Sequence, residues 1–298
     1  MRVEIFDVKH GACAMITGTN GARMMIDCGY REGDDGWYPS MQFAGERIEA
    51  LVIQNLDEDH VDDLPYVWED LEIGAFYSNP TVTAERLKAM KTQGMDAGVT
   101  KAHELLQALG PGLSGRKARL GDVGVWAYYN RYGQPFKETN DLSLAVFVEY
   151  GRFRMLFGGD LERAGWLELL KIPQFCTDLA TVKAIVGSHH GRASGKCNEL
   201  FQYCTPDIAI FSDGQKQYET QETDAWYRAR VNGIVDVTRR PNALGTIPRR
   251  HVITTRRDGT ITIDVNEHGG YLVTPSRRTD PLEDLQAAIT RARTLIGE

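Results

Sequence analysis

The chain has 298 residues, 42% hydrophobic and 25% charged, with a net charge of −7. This length buries a substantial core as one large or two small domains, and the composition is ordinary for a globular protein. No apolar run approaches the ~20 residues that cross a bilayer, so no membrane span is expected.

"RVEIFDV" alternates apolar and polar residues and predicts a strand, not a signal peptide. "CAMITG" and "ARMMIDCG" follow as strands, joined through a "TNG" turn suited to a hairpin. "IEALVIQN" is a continuous apolar run that suits a strand covered on both faces. "DDLPYVWEDL" reads as helix and "IGAFYSNP" as a short strand; residues 83–109 read as two helices broken at "QGMDAG". "GPGLSGRKARLGDVG" reads as loop. "SLAVFVEYGRFRMLFGGD" predicts a hairpin turning at Tyr150-Gly151, and "LERAGWLELLK" an amphipathic helix. "VKAIVGSHHG" and "PDIAIFSDG" predict buried strands ending in polar residues. "HVITTRRDGTITIDV" predicts a hairpin with an Asp-Gly turn. Residues 279–297 predict an amphipathic helix packed on the rest, led by the N-cap stretch "TDPLED".

There is no internal repeat or low-complexity tract. Strands come in two runs separated by helices. That pattern predicts an α/β (α+β) fold, an αββα four-layer sandwich spanning 1–298 as one domain. Three legible hairpins argue against a doubly wound parallel sheet. The five cysteines at 13, 28, 176, 197 and 204 form no C-x-x-C pair. They read as free thiols in a reducing compartment, so a cytoplasmic protein is expected.

Charge is uneven. Residues 27–72 hold fourteen Asp or Glu and two Arg, whereas residues 226–257 hold eight Arg and one acid, Asp236. Within that basic strip, Arg239 and Arg240 are candidates to grip a polyanion, since guanidinium matches phosphate bidentately. A solvated arginine face paired with the acidic half is the alternative.

Three stretches carry ligand-type residues at strand ends. "LVIQNLDEDHVDDLP" presents Asn55, Asp57, Asp59 and His60, of which the first three alternate and would share a direction in extended chain. "LFGGDLE" presents Asp160, and "IVGSHHGRAS" presents His189 and His190. Each alone has a plain structural explanation: an acidic loop at a helix start, an N-cap, a structural histidine pair. Together they supply the oxygen and nitrogen donors that a divalent cation takes.

In order along residues 3 to about 265, the sequence resembles the metallo-β-lactamase fold hydrolases, and within them the soluble hydrolase domain of bacterial DNA-uptake (competence) channels. "NLDEDH" resembles that family's H-x-H-x-D-H block. "FDVKHGACAMI" resembles its opening D-V-G-x-G-D-A, "MMIDCG" its D-x-G, "TNDLSL" its N-x-x-S-L, "LFGGD" its G-D block and "GSHHGRAS" its H-H-G-S. The resemblance implies an αββα sandwich with metal at one edge between the sheets. It implies that Asp59 and His60 hold one metal with His189, that Asp160 bridges two metals or holds one, and that Asp27 braces the site loop. Asn55 and Asp57 stand where the family has two histidines, and Ala12 where it has an early Asp. The other site is therefore oxygen-rich through Asp57, or lost, with Asn55 left a supporting role. One or two ions, Zn²⁺ or Mn²⁺, are expected, with Mg²⁺ also suited to the oxygen-rich pocket.

A bound cation lowers the pKa of its water toward about 7 and screens a phosphoryl oxygen. Asp59 then orients the water, His190 donates to the leaving group or supports a ligand, and His10 faces the pocket to help bind substrate. The expected function is a phosphodiesterase or nuclease acting on nucleic acid or a nucleotide. A hydrolase of other esters or of peptides is a second reading. A metal-poor, catalytically weak subunit that binds a protein partner is a third.

Overall fold

The computed structural model describes residues 1–33, 36–215, 223–236 and 246–277. An eight-stranded sheet runs in the spatial order Tyr271–Pro275, Ile261–Val265, Arg2–Ile5, Ala14–Thr17, Arg23–Ile26, Ala50–Val52, Ala75–Tyr77, Leu113–Gly115. Its first five strands pair antiparallel. The next two join in parallel, and the edge strand returns antiparallel. A six-stranded sheet runs Val252–Thr254, Ile208–Phe211, Ala184–Val186, Phe153–Phe157, Ala145–Tyr150, Gly124–Tyr128. Four of these are mutually parallel, and the last two pair antiparallel.

Side-chain alternation sorts the apolar residues into three cores. On Ala14–Thr17, Met15 joins the helices Leu64–Asp70, Ala84–Met90 and Ala97–Leu109, whereas Ile16 joins the other sheet. On Ala145–Tyr150, Val146 and Val148 face the first sheet, whereas Phe147 packs with Trp166, Phe175 and Leu179 from the helices Arg163–Leu169 and Pro173–Leu179. The layers are thus helices, sheet, sheet, helices: the αββα sandwich that the two runs of strands predict. Each large side chain buried this way contributes roughly 1.5–3 kcal/mol. A one-residue slip would send all of them to the wrong core, so register is fixed by burial.

Three local readings need correction. "HVITTRRDG" is not a hairpin arm. Val252–Thr254 is the edge strand of the second sheet, Thr255–Asp258 is a helical turn, and Ile261–Val265 crosses to the first sheet. The cause is Asp258, fully buried, whose carboxylate accepts from the Thr254 N–H and pairs with Arg250. The stretch expected to be all loop contains the edge strand Leu113–Gly115. Gly124–Tyr128, half-buried throughout, is a strand that the sequence reading did not single out.

The arginine strip is largely structural where described. Arg250 pairs with Asp258 and lies 3.9 Å from Asp236, Arg256 lies 3.4 Å from Asp213, and Arg257 lies 3.6 Å from Asp258. Arg249 donates to the Gly233 carbonyl. Arg239, Arg240 and the helix expected at 279–297 lie outside the described residues. All five cysteines are free thiols, four of them buried. Among the described residues no helix is long and apolar enough to cross a membrane.

Candidate metal centre

The strand Ala50–Val52 ends in Ile53-Gln54, and the chain then turns through Asn55–Asp57 into the short helix Glu58–Val61. Gln54 anchors this turn between the sheets. Its N–H donates to Asp27 Oδ1 at 2.7 Å, and its Nε2 donates to the carbonyls of Leu144 (2.6 Å) and Phe157 (3.1 Å). The backbone of Asp59 and His60 is held from the other side, where Ala12 N–H donates to the Asp59 carbonyl and Cys28 N–H to the His60 carbonyl. That contact is why the "DCG" block ends in glycine: a Cβ on Gly29 would lie 2.4 Å from the Asp59 carbonyl oxygen.

Asp160 follows Phe153–Phe157 through Gly158 and Gly159. Gly159 has φ +52°, a conformation that favours glycine, and a Cβ there would meet Ser143 at 2.8 Å. Asp160 N–H donates to Ser143 Oγ. Asp160 is no helix cap. Asp141 Oδ1 accepts instead from the Glu162 and Gly165 N–H groups at the start of Arg163–Leu169.

These supports bring four side chains together. One donor atom from each of Asp59, His60, Asp160 and His190 lies within 4.8 Å of the others. His60 Nε2 is 3.0 Å from Asp160 Oδ1, and His190 Nε2 is 3.1 Å from Asp59 Oδ2 and 3.6 Å from Asp160 Oδ1. Four ligands at about 2.0–2.1 Å from one tetrahedral ion are roughly 3.3 Å apart, so the quartet has the spacing a divalent metal needs. His190 adds a second indication. Its Nδ1 donates to the Ser212 carbonyl at 2.8 Å, whereas its buried Nε2 faces the quartet with no aligned hydrogen-bond partner. His60 is braced likewise, with Nδ1 donating to Asp27 Oδ2 at 2.8 Å. A carboxylate or carbonyl behind an imidazole fixes the tautomer that presents Nε2 to a metal. A cavity of about 30 Å³, lined in part by Asp27, His60, Asp160 and His190, borders the centre and has room for a water or an ion.

Electrostatics agree with this reading. Burial opposes ionisation of Asp160, but His60 and His190 outweigh it and lower its pKa to about 2. Asp59 is likewise pulled below the usual range, with burial opposed by His190, His60 and His10. Burial opposes charge on His60 and His190, yet the neighbouring carboxylates win and raise both above the ordinary 6.5, His60 by the larger margin. Without metal, two imidazolium protons therefore hold the carboxylates together. Their stabilisation is complete below pH 6.5 and is lost as pH rises through the raised folded-state values. The carboxylate contribution is present above the ordinary 3.8 and is lost only as pH falls toward about 2. Metal needs neutral imidazoles and so has the opposite preference. The rise in melting temperature on adding saturating Zn²⁺ or Mn²⁺ is expected to be larger at pH 8 than at pH 6. Thermal scans at both pH values check this, and a larger shift at pH 6 contradicts it.

The other sequence-derived candidates fall around this quartet. His189 does not join it. Its Nε2 is 3.9 Å from Asp160 Oδ2, and its ring is held by Ser194, Arg192 and Glu162. Both histidines have left-handed backbone (φ +52° and +53°), and this double turn sends the second ring inward. Asp57 also lies apart. Its carboxylate is taken by Lys91 Nζ at 2.6 Å and by Thr139 Oγ1, and Asn55 bonds to Asp57 and Asn140. A lysine ammonium thus occupies the oxygens that a second metal would use, and Asp57 and Asn55 do not fit one. His10 reaches the centre, with Nε2 3.3 Å from Asp59 Oδ2. Gln54, Lys91 and Arg192 were not singled out from sequence. Gln54 and Arg192 lay inside quoted stretches, and Lys91 did not.

A four-layer αββα sandwich with carboxylates and imidazoles gathered at strand ends between its sheets has the architecture of the metallo-β-lactamase fold, with a group able to hold a divalent metal. Over 177 residues the chain is 23% identical to ComE operon protein 3 of Bacillus subtilis (strain 168), a match covering 57% of this chain and 20% of that protein. The chain therefore spans only a fifth of that relative's length. Among solved structures it is similar to a CmlA beta-hydroxylase E377D mutant (TM-score 0.48, 12% identity, 88% of this chain and 54% of that one). It is also similar to Zn²⁺-bound PqqB from Methylobacterium extorquens (TM-score 0.34, 12% identity, 62% and 72%). No protein-family model matches the chain.

Proposed function

We infer that the chain is a metal-dependent hydrolase of phosphodiester bonds, acting on nucleic acid or a nucleotide with one Zn²⁺ or Mn²⁺ ion. The observation that carries this reading is the quartet with its two braced imidazoles, each aiming Nε2 at its carboxylates. Asp59, His60, Asp160 and His190 would hold the ion, which when bound supplies Lewis acidity and acidifies water. Asp59 is the most open of the four, its side chain 22% exposed, and is placed to orient a water from the solvent side. His10 stands beside it, Nε2 3.3 Å from Asp59 Oδ2, with its pKa lowered to about 4 by burial and by His190. The phosphodiester class is supported by the ordered resemblance to DNA-uptake hydrolase domains. The lysine at Asp57 supports one ion over two.

The test is hydrolysis of bis(p-nitrophenyl) phosphate and of a labelled single-stranded oligonucleotide across a metal series. Turnover is expected with about one equivalent bound, reduced roughly 10²- to 10⁴-fold in Asp59→Asn. Bound metal without turnover of any phosphodiester leaves the second reading, a catalytically weak binding subunit. That reading is favoured by Asn55 and by the Lys91–Asp57 pair.

A further inference from the structure

At the rim of the quartet, Arg192 is held unlike four other part-buried or buried arginines. Arg31, Arg154, Arg250 and Arg256 each face a carboxylate. Arg192 instead donates Nη1 to His189 Nε2 at 3.2 Å and Nη2 to His10 Nε2 at 3.0 Å. Both acceptors are imidazole nitrogens and neither is a carboxylate. Arg192 Nε is buried with no partner. No carboxylate among the described residues lies within 4 Å of the guanidinium. It is a planar five-donor fork with two donors on imidazole rings and, among the described residues, no carboxylate in contact.

Its position gives that surplus charge a use. His10 Nε2 is 3.3 Å from Asp59 Oδ2, and His189 Nε2 is 3.9 Å from Asp160 Oδ2, so the fork stands one imidazole away from two carboxylates of the quartet. One divalent ion neutralises those two carboxylates. A phosphodiester arriving there brings one further negative charge, and Arg192 is the cation placed to meet it. Guanidinium matches two phosphoryl oxygens in a way that ammonium does not. His10, with its side chain 46% exposed, is a partner that can be exchanged for an incoming oxygen.

We propose that Arg192 is a substrate-binding residue that grips the non-bridging oxygens of a phosphoryl group at the quartet, exchanging its bond to His10 for one to the substrate. This rests on the hydrolase reading and assigns its substrate class. The test titrates the full chain, metal-free and after metal loading, with inorganic phosphate and with dimethyl phosphate by calorimetry. Acetate is the control anion, and metal content is measured in the same samples. Arg192→Gln keeps a donor for one imidazole, and Arg192→Lys keeps the charge. Wild type is expected to bind both phosphates more tightly than acetate. Arg192→Gln should weaken both by roughly 10- to 100-fold, the worth of hydrogen bonds to a charged group, with metal content unchanged. Arg192→Lys should fall between.

Equal phosphate affinity in wild type and Arg192→Gln overturns the proposal, whether or not the variant melts lower. So does acetate binding as tightly as phosphate, or no phosphate binding by wild type. If wild type takes up no metal, the hydrolase reading fails on its own. The metal-free titration then decides the fork: loss of phosphate affinity in Arg192→Gln supports it, and equal affinity overturns it.

Discussion

Asp160→Ala is expected to reduce bound metal from about one equivalent per chain to none and to lower phosphodiester turnover by at least ~10³-fold, about 4 kcal/mol of transition-state stabilisation. Asp160 is the carboxylate that joins the two halves of the centre. Its Oδ1 is 3.0 Å from His60 Nε2, on the short helix Glu58–Val61, and 3.6 Å from His190 Nε2, on the turn after Ala184–Val186. Without it the three remaining donors have lost their shared neighbour, and a metal would gain only one carboxylate. The fold should survive near pH 8. Breaking a buried ion pair costs roughly 3–5 kcal/mol only when the surviving charge cannot neutralise, and an imidazole can shed its proton. Asp160→Asn is the stricter form, because it keeps shape and removes charge. Metal content of protein purified without chelator, with the metal-induced melting shift, measures both. A wild-type metal affinity in Asp160→Asn would sink the idea that this residue is a ligand.

The motifs show which part of such a centre a sequence can display. Asp59, His60 and Asp160 were legible because each lies within a few residues of the end of an apolar strand, and strand ends are where a sheet presents side chains. The choice between His189 and His190 was not legible. Adjacent residues usually point apart, and which one turns inward depends on two successive left-handed φ values that no residue type announces. Lys91 was hidden for a different reason. It is 34 residues from Asp57, at the C-terminal end of Ala84–Met90, and nothing local marks it as the partner of that acid. The Asp-Gly at 258–259 misled because a buried Asp258 organises a helical turn with Arg250, while the same dipeptide exposed favours a hairpin. The two runs of alternating strands were robust, because burial on both faces of both sheets demands three separate cores.

Asp27→Asn is expected to weaken metal binding roughly 10- to 100-fold while changing the fold little, the range found when a group behind a metal-binding histidine is altered. Asp27 is fully buried, with Oδ1 accepting from Gln54 N–H and Oδ2 accepting from His60 Nδ1. It adopts φ +56°, which Asn tolerates nearly as well as Asp. The substitution keeps size and backbone but turns one of two acceptors into a donor. If the amide nitrogen faces His60, Nδ1 must accept, and the ring proton moves to Nε2, the atom aimed at Asp160 and the metal. If the amide flips, its nitrogen meets the Gln54 N–H, and two buried donors oppose each other. The first state removes the tautomer that presents a lone pair to the ion, and the second keeps it but breaks the Gln54 bond that holds the site loop. The loss should appear in the metal dissociation constant far more than in the metal-free melting temperature. Because Asp27 touches no part of the quartet except His60, His60→Gln should remove the effect of the second substitution. In a double-mutant cycle scored on metal affinity, Asp27→Asn is expected to cost little once His60 is gone. Additive losses at the two positions would show that Asp27 acts on the centre by another route.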